Sequence, residues 1–173
     1  MEAKERGQPE PADMLANGNN YLRQLASSEG ASLADERARA YAIYILTRQG
    51  TVTASLAATL QKRLVERYEK EWQQDIAAAY LAAAYQLMKQ DSLAERLFGG
   101  LKLGTPKSFA PYYDALSRDA QLVYLTARHF PQSMKSGQSE MLTVLVKPMQ
   151  HGLYNTFSPA EPLPALDAAE PLG

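Results

Sequence analysis

A helical pattern of apolar residues recurs about every 40 residues along this chain. Three tyrosines each lie near the end of an apolar helical run, 41 and 39 residues apart, and a basic residue follows each at a similar offset: Tyr44 with Arg48, Tyr85 with Lys89, and Tyr124 with Arg128. A period near 40 with two helices per unit is typical of stacked α-hairpins, as in solenoids or closed toroids. The repeat therefore predicts an all-α fold of stacked antiparallel helical hairpins.

Local signals place the first helices of this fold. A helical pattern begins at Pro11 and is broken by "SSEGAS" at residues 27–32. Ser32 suits an N-cap, and Asp35, three residues on, resembles the partner of a capping box. Apolar residues then follow at helical spacing up to Gly50, which suits the position after a helix end: Ala38, Tyr41, Ala42, Ile45 and Leu46.

The later helices follow from similar signals. Thr53 is predicted to cap a helix with apolar residues at spacing four, and a further helix is predicted over residues 72–90. A short helix starts at Asp91 or Ser92 and ends at Gly99, and Ser117 is predicted to cap the run "RDAQLVYLTARHF". Pro131 is predicted to end that run, and a last helix covers residues 140–150, with Pro148 weakening its end.

No run shows the period-two alternation of a half-buried strand. "LTVLVK" at residues 142–147 is ambiguous, because its β-branched content would also suit a strand. The predicted organisation is a disordered lead-in over residues 1–10, a helical-hairpin domain over residues 11–150, and a proline-rich tail over residues 151–173.

Charge and composition narrow the classes of function. The net charge is −1, so no basic field is available to hold nucleic acid or an anionic membrane. The chain has no cysteine, which excludes disulfides, thiolate metal sites and cysteine nucleophiles. The apolar runs are too short and too rich in alanine to span a bilayer, and the N-terminus has no apolar region of a signal peptide.

Motifs for catalysis, cofactor binding or metal binding are not found. The two histidines are His129, predicted to end a helix, and His151, predicted to lie in a turn; there is no HExxH, no GxSxG and no phosphate-binding glycine pattern. A glycosidase would need two carboxylates, but Asp35, Glu36 and Asp75 are explained as residues at helix starts. The single tryptophan, Trp72, lies beside a run of charged residues. We therefore predict no enzyme, no cofactor and no catalytic, cofactor-binding or metal site.

Two surfaces are candidates for contact with a partner. The run "QKRLVERYEKEW" at residues 61–72 is predicted to be a solvated face with an ion pair from Glu66 to Lys70, although a protein-binding surface there stays open. Tyr41 and Tyr44 are predicted to be core residues with their hydroxyls at a polar rim, since aromatic residues at helical spacing are usually buried.

Four stretches, in order, resemble a known family: "ARAYAIYILTRQG" (38–50), "AAAYLAAAYQLMKQDSLAERLF" (77–98), "RDAQLVYLTARHFP" (118–131) and "GLYNTFS" (152–158). Together they look like the later part of the thioester-type helical domain of bacterial alpha-2-macroglobulin-like proteins. The resemblance covers roughly residues 13–158.

The resemblance implies an α/α toroid of helical hairpins, of which this chain supplies about half. It implies a large parent protein in the periplasm, often lipid-anchored to the inner membrane, that traps proteases after they cleave a bait region elsewhere in the parent chain. The implied partners are other domains of the parent, proteases through the parent, and a peptidoglycan synthase of the penicillin-binding class. The family's Cys-x-Glu-Gln motif has no match here, so no thioester residue is carried over.

The end of the chain departs from the family pattern. After "YNTFS" the family continues with an apolar helix, whereas this tail contains Pro159, Pro162, Pro164 and Pro171. Pro162 and Pro164 would block a helix, so we expect an extended or disordered tail and a toroid that does not close within this chain. An apolar surface is then expected where the missing hairpins belong. The alternative function is a free-standing α-hairpin scaffold that binds a protein or peptide in a groove, in the manner of tetratricopeptide arrays.

Overall fold

The computed structural model describes residue 7 and residues 12–104 and 114–151; the predicted lead-in, apart from Gly7, and the tail from residue 152 lie outside these residues. The described chain is helical and contains no strand, which confirms the all-α prediction. Its elements are α1 (Ala12–Ser27), α2 (Leu33–Arg48), α3 (Ala54–Tyr68), a 3₁₀ turn (Glu71–Gln74), α4 (Ile76–Leu87), α5 (Asp91–Phe98), α6 (Ala115–His129) and α7 (Pro131–Gln150).

The predicted ends of α2 are confirmed. The Ser32 side chain accepts from the backbone N–H of Asp35, and the Asp35 carboxylate accepts in return from the backbone N–H of Ser32. At the other end, Gly50 has a φ of 82° and its N–H donates to the Thr47 carbonyl, while the Thr51 N–H donates to the Leu46 carbonyl. This is a Schellman motif, which requires the left-handed conformation that glycine adopts without strain.

Other predicted helix starts or capping bonds are wrong. Trp72 does not open α4: it lies in the 3₁₀ turn, and Asp75 has an extended backbone and caps α4 by accepting from the Ala77 N–H. Thr53 occupies the N-cap position of α3 but makes no capping bond, because its hydroxyl is paired with that of Thr47 at 2.6 Å. Ser117 does not cap α6 either; Asp114 does, and Ser117 donates its N–H to Asp114.

The last helix is longer than predicted. Phe130 alone separates α6 from α7, and Pro131, predicted to end one helix, is the first residue of the next, where its missing N–H costs nothing. The ambiguous run at residues 142–147 lies inside α7 and is helical, and Pro148 lies within the same helix. As predicted, His151 lies in a turn directly after α7.

The helices form three consecutive hairpins side by side. Helices α2 and α3, α4 and α5, and α6 and α7 contact each other in pairs; α2 packs on α4 and α4 on α6, while α1 covers α2. Helices α2, α4 and α6 therefore form an inner layer, which confirms the stacked-hairpin reading of the repeat. The arrangement of these hairpins as part of a toroid stays a prediction.

The core is centred on α4. Every residue of α4 from Ile76 to Tyr85 is buried, and six of these ten residues are alanines. Small side chains allow the flanking helices α2 and α6 to approach closely. A second, smaller cluster lies between α6 and α7 and consists of Leu116, Ala120, Val123, Met134 and Leu145.

Candidate functional site

Two of the three tyrosine–basic pairs of the repeat meet at the ends of α2 and α6. We call Tyr44, Arg48, Tyr124, Arg128 and His129 the tyrosine–arginine cluster. The Tyr44 hydroxyl lies 2.8 Å from Nε2 of His129, and Nη1 of Arg48 donates to the Tyr124 hydroxyl at 3.3 Å. The guanidinium carbons of Arg48 and Arg128 lie 5.8 Å and 5.9 Å from the ring centroids of Tyr44 and Tyr124.

The third pair of the repeat is not part of this cluster. The Tyr85 hydroxyl donates to Oε1 of Gln61 on α3 at 2.7 Å. Lys89 is exposed and has a φ of 62°, which places it in the left-handed region at the end of α4. The repeat therefore predicts where helices lie, but its basic residues do not share one role.

Burial keeps the central pair of the cluster uncharged at neutral pH. Burial, together with the nearby charges of Arg128 and Arg48, lowers the pKa of His129 to about 4. Burial also raises the pKa of Tyr44 well above its ordinary value. The 2.8 Å contact thus joins a neutral imidazole to a protonated phenol, and the net positive charge of the cluster comes from its two arginines.

Tyr80 of α4 connects this cluster to the inner layer. Its ring stacks on that of Tyr44 with centroids 5.7 Å apart, and its hydroxyl donates to Oε1 of Gln121 on α6 at 2.9 Å. Tyr44 is 2% exposed, as predicted for a core residue. The same prediction is wrong for Tyr41, which is 45% exposed although its ring contacts that of Tyr80 in a T-shaped arrangement.

A buried ionic knot fixes the start of α6. The side chain of Arg118 is fully buried, and its guanidinium donates to the carbonyl oxygens of Gln74 and Lys102 and to the carboxylate of Asp119. Asp119 also accepts from the Gly104 N–H at 2.9 Å. Burial raises the pKa of Asp119, and Arg118 partly offsets this effect. We call Arg118, Asp119 and these partners the Arg118 knot; it joins α6, the 3₁₀ turn and the loop after α5.

A second buried ionic group ties α2 to α3 and was missed by the sequence analysis. Glu36, read there as a helix-start residue, is fully buried; it accepts from Nη1 of Arg39 at 2.6 Å and lies 2.8 Å from Nε of Arg63. Arg63 and Arg67 both donate to the Gly30 carbonyl, at 2.6 Å and 3.0 Å. The backbone there is closely packed, since a Cβ at Gly30 would lie 2.9 Å from the Glu36 carboxylate.

The run predicted to be a solvated face is therefore only partly so. Lys62 and Glu66 form an exposed ion pair at 3.7 Å. The predicted pair of Glu66 with Lys70 does not lie within one helix, because α3 ends at Tyr68. Arg63 turns inward to Glu36, and Trp72 at the end of the run is buried. Asp75, likewise read as a helix start, also forms a two-point ion pair with Arg37 of α2, with a shortest distance of 2.6 Å.

These polar groups connect helices to one another. Within residues 12–104 and 114–151, no group of three histidine, aspartate or glutamate side chains lies close enough to hold a metal ion. No helix in the same residues is both long and apolar enough to cross a bilayer. The ionic and tyrosine contacts instead bring together α2, α4 and α6 and tie α3 to α2.

Three curated proteins are similar to this chain along most of its length. An alpha-2-macroglobulin homolog of Yersinia pestis is 36% identical over 174 residues, covering 97% of this chain. Alpha-2-macroglobulins of Rickettsia conorii and Pasteurella multocida are 37% and 36% identical and cover 72% and 84% of it. The chain belongs to the alpha-2-macroglobulin family. This confirms the resemblance found in the four sequence stretches.

The chain spans only 7% to 9% of the length of these relatives. No family model matches it, and no solved structure shows significant similarity. Membership of the alpha-2-macroglobulin family does not favour the alternative of a free-standing scaffold of the tetratricopeptide kind. The helical hairpins and their polar ties therefore belong to an alpha-2-macroglobulin-like protein.

Proposed function

We propose that this chain is a non-enzymatic helical segment of a bacterial macroglobulin-like protease inhibitor, in which a larger parent protein traps the protease. The similarity to an alpha-2-macroglobulin homolog over 97% of the chain carries this proposal. The buried ionic groups support a structural role, because in the described residues they join helices: Glu36 to Arg63, Asp75 to Arg37, and Arg118 to the carbonyls of Gln74 and Lys102.

In this proposal the hairpins form a rigid block within the parent. The block would pack on neighbouring domains and move with them when a protease cuts the bait region. The parent would be periplasmic, anchored to the inner membrane through another part of its chain, and would contact the captured protease. A peptidoglycan synthase of the penicillin-binding class is a further proposed partner.

The first test is the size and location of the native protein. An antibody raised against this chain would be used on blots of periplasmic, membrane and cytoplasmic fractions. A band several-fold larger than 19.1 kDa that pellets with the inner membrane and faces the periplasm is the expected result. A band at 19.1 kDa, or a large band confined to the cytoplasm, would contradict the proposal.

The second test is protease capture by the purified parent protein. A trapped protease is expected to lose activity on a large protein substrate and to keep its activity on a small peptide substrate. Arg118→Met in the parent should reduce capture, because it loosens the hairpin block, whereas Arg96→Met on the exposed face of α5 should not. Equal loss of activity on both substrates would indicate inhibition at the active site and would overturn the trap mechanism.

A further inference from the structure

The tyrosine–arginine cluster continues as an aromatic surface across the inner layer. The ring of Tyr41 on α2 meets that of Tyr80 on α4 in a T-shaped contact with centroids 5.3 Å apart, and Tyr80 in turn stacks on Tyr44. The Tyr80 hydroxyl donates to Gln121 on α6, one turn before Tyr124. Tyr41 is 45% exposed and Tyr124 is half-buried, so both of these rings are accessible from solvent.

Two guanidinium groups lie beside these rings. The guanidinium carbon of Arg48 lies 5.8 Å from the ring centroid of Tyr44, and that of Arg128 lies 5.9 Å from the ring centroid of Tyr124. Because His129 is uncharged at neutral pH, the cluster carries two positive charges among aromatic rings. Such a surface suits a segment that presents carboxylates to the guanidinium groups and rigid apolar residues to the rings.

A segment of this chain with that chemistry is the proline-rich tail at residues 152–173, which lies outside the described residues. The tail contains three acidic residues and no lysine or arginine. Two of the acidic residues flank two prolines in the run "EPLPALD" at residues 161–167. Proline favours the extended polyproline II conformation, which docks on aromatic side chains at a low cost in conformational entropy.

Enough chain separates α7 from this run for the run to reach the cluster. Leu116, near the start of α6, and Leu145, near the end of α7, share the second apolar cluster, so α7 runs back from the tyrosine–arginine cluster toward the start of α6. Since α7 has 20 residues, its end lies roughly 30 Å from that cluster. Glu161 lies ten residues after His151, and ten extended residues span about 31 Å. An extended tail therefore brings Glu161 to the cluster, and Asp167 reaches it with six further residues.

We propose that this tail folds back onto the tyrosine–arginine cluster of its own chain. The carboxylates of Glu161 and Asp167 pair with the guanidinium groups of Arg48 and Arg128, and the prolines between them lie against the accessible tyrosine rings. The tail then joins the end of α2 to the end of α6. This inference concerns the chain itself and does not depend on the proposed protease trap.

Because the chain has no cysteine, pairs of introduced cysteines can report on this contact in the full chain. Ala165→Cys lies within the run, and Gln49→Cys lies at the exposed residue after Arg48. The control pair combines Ala165→Cys with Gln73→Cys, at an exposed position of the 3₁₀ turn. A tail that is not docked reaches this turn at least as easily, because the Arg118 knot holds the turn beside the start of α6, where α7 ends.

Each pair would be oxidised at low protein concentration, and the disulfide formed within one chain would be followed over time on non-reducing gels. We expect the Gln49 pair to close about tenfold faster than the control pair, because docking raises the local concentration of the tail thiol. Glu161→Gln combined with Asp167→Asn should lower this rate about fivefold through the loss of two partly exposed ion pairs. A high salt concentration should also lower it. Glu95→Gln, at an exposed position of α5, should leave it unchanged.

Three results would overturn the docked tail. The first is an equal rate for the two cysteine pairs, and the second is a rate that changes neither with salt nor with the neutralised carboxylates. The third is a disulfide that forms mainly between two chains, because it would assign the surface to the tail of a second copy.

A nitroxide on Ala165→Cys alone provides a measurement that needs no disulfide. The amide NMR signals of residues 41–48 on α2 and 121–129 on α6 should broaden, whereas those of residues 66–74, at the opposite end of the layer, should not. The broadening should weaken when Glu161→Gln and Asp167→Asn are added. Broadening that is strongest at residues 66–74, or that is absent from residues 41–48 and 121–129, would refute the proposal.

Discussion

Replacement of Arg118 by methionine tests how much the buried knot contributes to stability. Methionine has a similar length and no charge, so the apolar part of the side chain is kept. The change removes the guanidinium donors to the carbonyls of Gln74 and Lys102. It also removes the counter-ion of the buried Asp119 carboxylate, which keeps its hydrogen bond from the Gly104 N–H.

Arg118→Met is expected to lower the free energy of unfolding by about 4 kcal/mol. Breaking a buried ion pair by removing one member costs about 3–5 kcal/mol, because a buried charge is left uncompensated. Loss of the Arg118 donor at each of these two carbonyls adds about 1–3 kcal/mol, and relaxation with water entry offsets part of this sum. Because domains of this size are stable by about 5–15 kcal/mol, the variant should fold with a much reduced margin.

The companion variants follow from the raised pKa of Asp119. Burial raises this pKa by more than Arg118 lowers it, so the carboxylate is costly even in the intact knot. Asp119→Asn keeps an acceptor for the Gly104 N–H but removes the counter-ion of the buried Arg118 guanidinium, which still donates to the carbonyls of Gln74 and Lys102, so it should cost about 2 kcal/mol. The double variant, with both substitutions, should be more stable than Arg118→Met alone, because the introduced amide leaves no uncompensated charge in the knot.

Urea unfolding followed by tryptophan fluorescence provides the assay. Trp72 is the single tryptophan, is 2% exposed, and lies in the 3₁₀ turn whose Gln74 carbonyl the knot holds. Arg96→Met on the exposed face of α5 is the control and should change the free energy of unfolding by less than about 0.5 kcal/mol. A cost below about 1 kcal/mol for Arg118→Met, or a larger cost for Asp119→Asn, would refute this account of the knot.

Three further substitutions test the helix ends. Lys89→Gly should stabilise the protein by about 0.5 kcal/mol, because Lys89 has a φ of 62°, which glycine adopts without strain. The matched change Gly50→Ala should cost about 1 kcal/mol. This cost comes from backbone strain alone, since a Cβ added at Gly50 meets nothing within 4 Å. Both are measured as shifts of the urea midpoint. Ser32→Ala should cost about 1 kcal/mol at neutral pH. The Ser32 hydroxyl also lowers the pKa of Asp35 below 3.8, so the part of the stabilisation that comes from the ionised Asp35 carboxylate is present above that pH and is lost as the pH falls through the lowered pKa.

Sequence reasoning could predict what depends on local chemistry. The helices, the capping box of α2 and its glycine end all follow from residues within one or two turns of one another, and the structure confirms them. The stacked order of the hairpins followed from the repeat. In each case, the physical cause lies within a few residues or in a regular period.

Contacts between distant residues were not predictable in this way. Arg63 and Arg67 looked like a solvated charge run, but they turn toward Glu36 and Gly30, which lie about 30 residues earlier. Thr53 was placed correctly as an N-cap, but its hydroxyl is taken by Thr47. A charged or hydroxyl side chain on a helix carries no local sign of a partner from another helix.

The alanine-rich surface of α4 explains why these distant contacts matter to the fold. Alanines let α2 and α6 approach α4 closely. Their small side chains form low ridges, which only weakly fix the position of one helix along another. Polar ties supply the missing register. The pair of Arg37 with Asp75 sets α2 against the start of α4, and the bond from Tyr80 to Gln121 sets α4 against α6. The bonds from Arg118 to the Gln74 carbonyl set α6 against the 3₁₀ turn before α4. We infer that the apolar core holds the hairpins together and that the buried polar contacts select one alignment of their helices. Loss of one polar contact should therefore make the alignment of neighbouring hairpins less well defined before it exposes the core.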